Sequence, residues 1–198
     1  LASSALLIAS AIGLSFGFLA AYKRGTWLDT TLMTTAILGV SMPHFWLGLI
    51  LLFYFAVHLG WFPVAGTSAR NIVLPALTLG VVHSALVARM TRSALVDILN
   101  EDYIRTARSK GLWELTVIWR HALRNAFAPV LTISGWQMGR LIGGTVIIES
   151  IFLVPGVGRT LIDAIFHRDY TMVSAVIFLV AFGVLLLNLI IDLLYAWL

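Results

Sequence analysis

The sequence predicts an all-α protein, a polytopic bundle of membrane-spanning helices. Two observations predict it: the composition and the length of the apolar runs. Of 198 residues, 60% are hydrophobic and 11% are charged, with a mean hydropathy of +0.97. A soluble domain holds about 45–50% apolar and about 25% charged residues. That balance excludes a disordered tail, a collagen and a soluble enzyme. The absence of cysteine also excludes a disulfide framework and a thiolate metal site.

Crossing a bilayer takes about 20 mostly apolar residues, and five stretches supply them: 1–21, 31–59, 72–90, 129–148 and 172–198. The first begins inside an apolar run, without an initiator Met or a charged leader, so a native N-terminal span is expected to be missing. Pro43 interrupts the second and predicts a kink or a tilted entry, with His44 satisfying backbone groups freed there. The third is short and contains His83. The fourth opens at Pro129 and carries Arg140 near its middle, and the fifth contains Asn188. Gly13 with Gly17, and Gly135 with Gly139 and Gly143, form ladders of small residues that permit close helix approach within the subunit or against another.

The connections orient these spans. A tight turn, Lys23–Thr30, holds Lys23, Arg24 and Asp29. The segment 60–71 is punctuated by Gly and Pro, with Trp61 and Phe62 at an interface-belt position. Segment 91–128 is long and polar, and 149–171 holds Pro155-Gly156-Val157-Gly158. The first and third connections, with Arg89 at the border, carry nine Lys and Arg against three (Arg70, Arg159, Arg168) on the other side. The positive-inside rule then places loop 91–128 and the C-terminus in the cytoplasm. Seven of the thirteen basic residues lie in or border that one loop, so the net charge of +4 is no nucleic-acid footprint.

That loop has no loop composition. Leu95, Ile98 and Leu99 recur at helical spacing, and Glu101 with Arg105 is an i, i+4 pair in the favourable orientation. Gly111 stands where a residue just past a helix end stands. A second periodicity runs through Leu115, Ile118, Ala122 and Ala126 until Pro129. The pattern fits a helix–Gly–helix hairpin projecting from the membrane, or two basic amphipathic helices lying on its surface.

The string Glu101-Asp102-Tyr103-Ile104-Arg105-Thr106-Ala107-Arg108-Ser109-Lys110-Gly111, followed by Arg120-His121-Ala122-Leu123-Arg124-Asn125-Ala126, resembles the cytoplasmic "EAA" loop of ATP-binding-cassette importer permeases. It is closest to the dipeptide/oligopeptide/nickel branch. In the general pattern Glu-Ala-Ala is followed by three residues, Gly, nine residues and Ile-x-Leu-Pro. Here Ala107, Gly111 and Leu123 match, whereas Arg105, Thr106, His121 and Arg124 depart from it as that branch does. The run Glu149–Arg159, the tripeptide Arg168-Asp169-Tyr170 and the segment Asn188–Tyr195 resemble the same branch.

The resemblance implies a single permease domain over 1–198. It implies a coupling helix that docks on a separate ATPase through Glu101, Asp102, Tyr103, Arg105, Thr106, Ala107, Arg108, Lys110 and Gly111. Tyr103 would be an aromatic anchor, and the basic residues would meet acidic groove residues. The implied partners are two such ATPases, a second permease subunit that is related but not identical, and an extracytoplasmic substrate-binding protein, all at a bacterial inner membrane. Pro155, Gly156, Gly158, Arg159 and Asp169 would face the binding protein. No cofactor is implied for this chain; ATP and Mg would sit on the ATPases. In keeping with that, the sequence has no Gly-x-x-x-x-Gly-Lys-Ser/Thr phosphate loop.

The cargo path is less legible. A lipid-facing Arg140 would cost at least about 2.5–3.5 kcal/mol, so it should face a cavity or partner, or else snorkel or form an ion pair. His83 and Asn188 are either pathway residues or interhelical hydrogen-bonding groups. His58 and His167, near the outer face, read as surface groups or contacts for a metal-bearing cargo. A secondary transporter or channel would need carboxylates at span centres, which the sequence lacks. Neither His-Glu-x-x-His nor Gly-x-Ser-x-Gly occurs, so hydrolytic chemistry is not expected. Cargo of this branch includes di- and oligopeptides, glutathione-like peptides, nickel chelates and some sugars.

Overall fold

The computed structural model describes residues 1–66, 68–111, 113 and 116–197. In chain order the helices are α1 (Ala2–Tyr22), α2 (Trp27–Ser41), α3 (His44–Leu51) running into a π-helical turn (Leu52–His58), α4 (Ala69–Leu99) and α5 (Asp102–Ser109). A second π-helical turn (Val117–Ala122) leads into α6 (Leu123–Gly144), followed by α7 (Val146–Ile151), α8 (Val157–Phe166) and α9 (Tyr170–Trp197). No strand occurs among the described residues.

The packing centres on α4 and α1. The buried face of α1 is a stripe of small residues at four-residue spacing, Ala5, Ala9, Gly13, Gly17 and Ala21. It lets the two backbones approach closely: a Cβ at Gly13 would lie 2.5 Å from the Val87 Cβ and 2.7 Å from the Ser84 carbonyl oxygen. At Gly17 a Cβ would lie 2.5 Å from both the Ala88 carbonyl oxygen and the Thr91 Cβ. The glycine ladder of the first span therefore serves packing within the subunit. Gly135 of α6 meets the Ile191 side chain of α9 in the same way. Gly143 lies among positions whose side chains are outside the described set.

Several boundaries differ from the sequence reading. Helix α4 does not stop at Met90. It runs unbroken for 31 residues, about 45 Å at 1.5 Å per residue, because no breaker intervenes and Leu95 and Val96 have a core to join. Residues 91–99 are thus the end of a membrane helix, not the first limb of a hairpin. Pro129 does not open a span; it lies inside α6, whose helical path begins at the preceding π turn. Leu115, counted in the second periodicity, lies outside the described residues.

Pro43 does break the second stretch, with a bend of 97° between its limbs. The 15 residues of α2 reach about 22 Å, short of a hydrocarbon core of about 30 Å. The freed backbone there is satisfied by the Pro43 carbonyl, which accepts the Trp46 and Leu47 N–H groups at 3.0 and 3.2 Å. His44 plays no such part: its ring tilts against His83 instead, 5.7 Å between centroids. Among the described residues, α1, α4 and α9 are each long and apolar enough to cross a membrane alone, and the α2–α3 pair would make a fourth span. Helix α6, which carries Gln137 and Arg140, is not one of them.

Two apolar cores lie at opposite ends of α4. One joins Ala5, Ala56, Leu74, Leu79, Leu141, Ile148, Phe152 and Val154. The other joins Ala21, Leu95, Val96, Ile104, Ala107, Val117, Ala122 and Ala126. Between them the α4–α6 contact is polar, with His83 facing Gln137. Helix α9 packs on α6 and α8 along one side and presents Phe178, Leu185 and Leu193 outward, the surface a span needs against lipid.

Substituting Gly13→Leu forces apart the α1–α4 contact and is expected to cost about 1–3 kcal/mol. It should appear as a lowered midpoint in thermal melting of the detergent-purified protein. Gly39→Ala, a helical position with no heavy atom within 4 Å of its Cβ site, should stay within about 0.5 kcal/mol of the parent.

Candidate functional site

The most conspicuous surface feature is α5. Glu101 precedes it in extended conformation, Asp102 occupies its first turn and Arg108 its last, the charge placement a helix dipole favours. Ile104 and Ala107 turn inward into the apolar core shared with Leu95, Val96, Val117 and Ala126. Glu101, Asp102, Tyr103, Arg105, Thr106, Arg108, Lys110 and Gly111 stay exposed. The chain leaves α5 at Gly111 with φ of +77° and open space around its Cβ position. Glycine is needed there for the left-handed turn and not for room.

Two sequence-level pairings change. Arg105 reaches Asp102 at 3.4 Å, not Glu101, because Glu101 stands outside the helix and its side chain is off the i, i+4 face. The pair is exposed and contributes little to stability. Tyr103 is anchored from this chain: its hydroxyl oxygen accepts from Asn125 Nδ2 at 2.8 Å, tying α5 to α6. Arg108 Nη1 also donates to the Leu99 carbonyl at 3.4 Å, tying α5 to the end of α4. Among the matching residues of the second half of the motif, Arg120, His121 and Arg124 have side chains outside the described set.

Two helical turns back along α4, the Arg92 guanidinium donates through Nε to Asp29 Oδ1 at 2.6 Å and through Nη2 to Oδ2 at 2.7 Å. Asp29 is only 5% exposed and also accepts the Gly25 N–H at 3.0 Å. This two-pronged pair fastens the α1–α2 turn to the α4 shaft just before α5. The sequence reading noted Asp29 only as a turn residue. An acid in the first turn of a helix ordinarily reads as complementing the dipole, and nothing in the linear order points 63 residues ahead to Arg92.

The second candidate region lies between the two apolar cores. His83 Nδ1 and Gln137 Oε1 are 2.7 Å apart, the imidazole N–H donating to the amide oxygen. Gln137 is 1% exposed, and its Nε2 has no hydrogen-bond partner among the described residues. One turn along α6, the Arg140 guanidinium lies over the Trp136 ring, 4.9 Å from its centroid. The His83 ring in turn tilts against His44, 5.7 Å between centroids. The structure thus gathers Arg140 and His83, and adds His44, Trp136 and Gln137. Asn188 is exposed on α9 and makes no side-chain hydrogen bond among the described residues.

The 149–171 segment is organised around Glu149, which is 6% exposed. Its carboxylate accepts the Thr145 hydroxyl at 2.6 Å and the Arg159 N–H at 3.1 Å. Any Cβ at Gly156 would strike that carboxylate, and one at Gly158 would lie 2.7 Å from the Val146 Cα. Both glycines are therefore packing requirements of the Pro155–Arg159 turn, at the N-terminus of α8 where a carboxylate is favoured. Asp169 caps α9 by accepting the Met172 N–H at 3.0 Å. His167 Nδ1 donates to the Asp163 carbonyl at 2.7 Å, and His58 packs edge-on to Tyr54. Asn71 Oδ1 accepts the Ser68 hydroxyl at 2.6 Å below this end of the bundle.

Several membrane-length apolar helices, one of them bent, with an exposed short helix among them, define a polytopic membrane protein. Residues 13–198 match the family model described as "Binding-protein-dependent transport system inner membrane component", and the chain belongs to that family. It is 45% identical over 224 aligned positions to the di/tripeptide transport system permease protein DppB of Pseudomonas aeruginosa (strain UCBPP-PA14), covering 98% of this chain and 67% of the relative. It is 45% identical over 185 residues to the glutathione transport system permease protein GsiC of Escherichia coli (strain K12), covering 93% of this chain and 60% of the relative. The chain thus spans about two thirds or less of the length of these relatives. Among solved structures, the inward-facing MetNI methionine ABC transporter matches with a TM-score of 0.79 at 20% identity, over 98% of this chain and 88% of that one. An amino acid ABC transporter with histidines matches at 0.73 and 16% identity, over 98% and 89%. At such identities these two establish the fold alone.

In a double-mutant cycle of Asp29→Asn and Arg92→Gln, each single change should destabilise the protein and the pair should show a coupling of about 1–2 kcal/mol, read from chemical or thermal unfolding. Gly156→Ala should displace the 149–171 segment. Limited proteolysis should then cut faster between Val154 and Arg159 than in the parent.

Proposed function

We propose that this chain is a membrane-spanning permease subunit of an ATP-driven, binding-protein-dependent importer of di- and oligopeptides. The observation that carries the reading is α5: two inward residues seat it on the bundle while Arg105, Arg108 and Lys110 face outward beside the Gly111 turn. A short basic helix held so firmly from one side offers its other side to a partner with an acidic groove. The names of the relatives, a di/tripeptide and a glutathione permease, support peptides as the cargo.

In this reading α5 docks on one of two ATPase subunits, which bind ATP and Mg and hydrolyse ATP; this chain supplies no catalytic group. Closure of the ATPases displaces α5. Its ties to α4 and α6, through Ile104, Ala107, Tyr103 and Arg108, pass the displacement to the spans, and the Asp29–Arg92 pair carries the α1–α2 turn along. A second, related permease subunit completes the path, and the Pro155–Asp169 segment receives the extracytoplasmic binding protein. Loop 91–128 and the C-terminus are cytoplasmic in the inner membrane of a bacterium. Arg140 and His83 line the cargo path, with Asn188 at its edge.

Gly111→Pro demands φ near −65° where the chain has +77°, and Arg105→Glu reverses the docking charge. Both variants should insert in the membrane yet fail to co-purify with the ATPases or hydrolyse ATP without uptake. Normal uptake with normal coupling in both would overturn the docking role.

A further inference from the structure

The polar cluster between the two apolar cores is rich in donors and short of acceptors. Arg140 is permanently charged, and its contact within the chain is the face of Trp136, which attracts the cation but supplies no negative charge. The buried acids are engaged elsewhere: Asp29 by Arg92, and Glu149 by Thr145 and the Arg159 N–H. Gln137 spends its amide oxygen on His83 and is left with a buried Nε2 that lacks an acceptor. A buried amide donor without a partner costs about 1–3 kcal/mol, and Arg140, exposed on α6, has no ion-pair partner among the described residues. One oxyanion at the cluster would answer both donors.

A groove of about 190 Å³ runs between α2 and α4, lined by Ala36, Val40, Ser41, Ala85 and Leu86, with Arg89 at one end. His44, His83, Gln137 and Arg140 do not line this groove; His44 itself stands exposed just after Pro43. Among the described residues the groove and the cluster contain basic and neutral groups and no acid.

We propose that Arg140, Gln137 and His44 form a carboxylate-binding site at mid-span that takes the free carboxylate of the peptide cargo, with His83 positioning the Gln137 amide. The proposal rests on the peptide-importer reading above. A carboxylate fits the donors: the planar fork of Arg140 accommodates two oxygens, and the Gln137 amide satisfies a remaining lone pair. The same chemistry could be supplied by an Asp or Glu of a neighbouring subunit, and the experiment separates the two sources.

The assembled transporter, with its ATPases and binding protein, is reconstituted in proteoliposomes. Uptake of radiolabelled alanyl-alanine is compared with uptake of its C-terminal amide. The binding protein's own preference is the same for every variant, so it cancels when acid-to-amide ratios are compared. Arg140→Gln should lower the ratio about tenfold or more, the loss of a charge-assisted hydrogen bond. Gln137→Leu should lower it to a smaller extent, and Arg140→Lys should restore much of it. A ratio unchanged in Arg140→Gln and Gln137→Leu overturns the carboxylate site and leaves the importer reading intact. Loss of subunit assembly in both variants assigns the carboxylate to a neighbouring subunit and also overturns it. Wild-type complex that hydrolyses ATP but takes up neither peptide overturns the importer reading and the site together.

Discussion

The close approach of α1 to α4 is the constraint on which the rest of the molecule depends. In a bilayer there is little hydrophobic drive between helices, so contact must come from shape and dispersion. A stripe of Ala and Gly lets the α1 backbone lie against the side chains and carbonyls of α4 at Ser84, Val87, Ala88 and Thr91. That support allows α4 to continue as one shaft from one apolar core to the other.

Everything with a functional character hangs on that shaft. At one end, Leu95 and Val96 seat α5 through Ile104 and Ala107, and Arg92 holds the α1–α2 turn by its buried aspartate. At mid-length, His83 meets Gln137 and brings α6, with Arg140, beside the bend at Pro43–His44. At the other end, Leu74 and Leu79 pack with Ile148 and Phe152, next to the Glu149 carboxylate that shapes the Pro155–Arg159 turn. Helix α5 is thus joined to a continuous helix with a polar layer at its centre. Two apolar clusters flanking a polar layer make an arrangement in which the ends can hold while the middle repacks.

The elements were legible in the sequence to different depths. Gly111 was readable because a glycine after a basic, amphipathic run has a specific backbone meaning, and it takes φ of +77° as such a position requires. The break at Pro43 was readable for the same local reason, though its 97° bend was not. The end of α4 was misplaced because polarity rises at Thr91 while helicity continues. A helix leaving the membrane keeps its backbone pattern when Leu95 and Val96 have tertiary partners. Pro129 reads in the sequence as an opening residue, but a proline is tolerated where a membrane helix can adjust its local hydrogen bonding. The π turn just before α6 is such an adjustment nearby. Glu101–Arg105 was a pairing by spacing alone, and it failed because Glu101 is not yet in the helix.

The sequence by itself determined the solvent, the helical class, the small-residue stripe and the exposed basic helix with its glycine exit. Each follows from composition or from a spacing of a few residues, where local geometry is sufficient. Only the tertiary structure decided the pairs made across long separations: Asp29 with Arg92, His83 with Gln137, and Glu149 with the backbone at Arg159. It also decided which donors are left over, since an unpartnered Gln137 amide is defined by what surrounds it and not by its neighbours in the chain. Hydrogen-bond satisfaction is a property of the packed molecule, and the unpartnered Gln137 amide is visible only there.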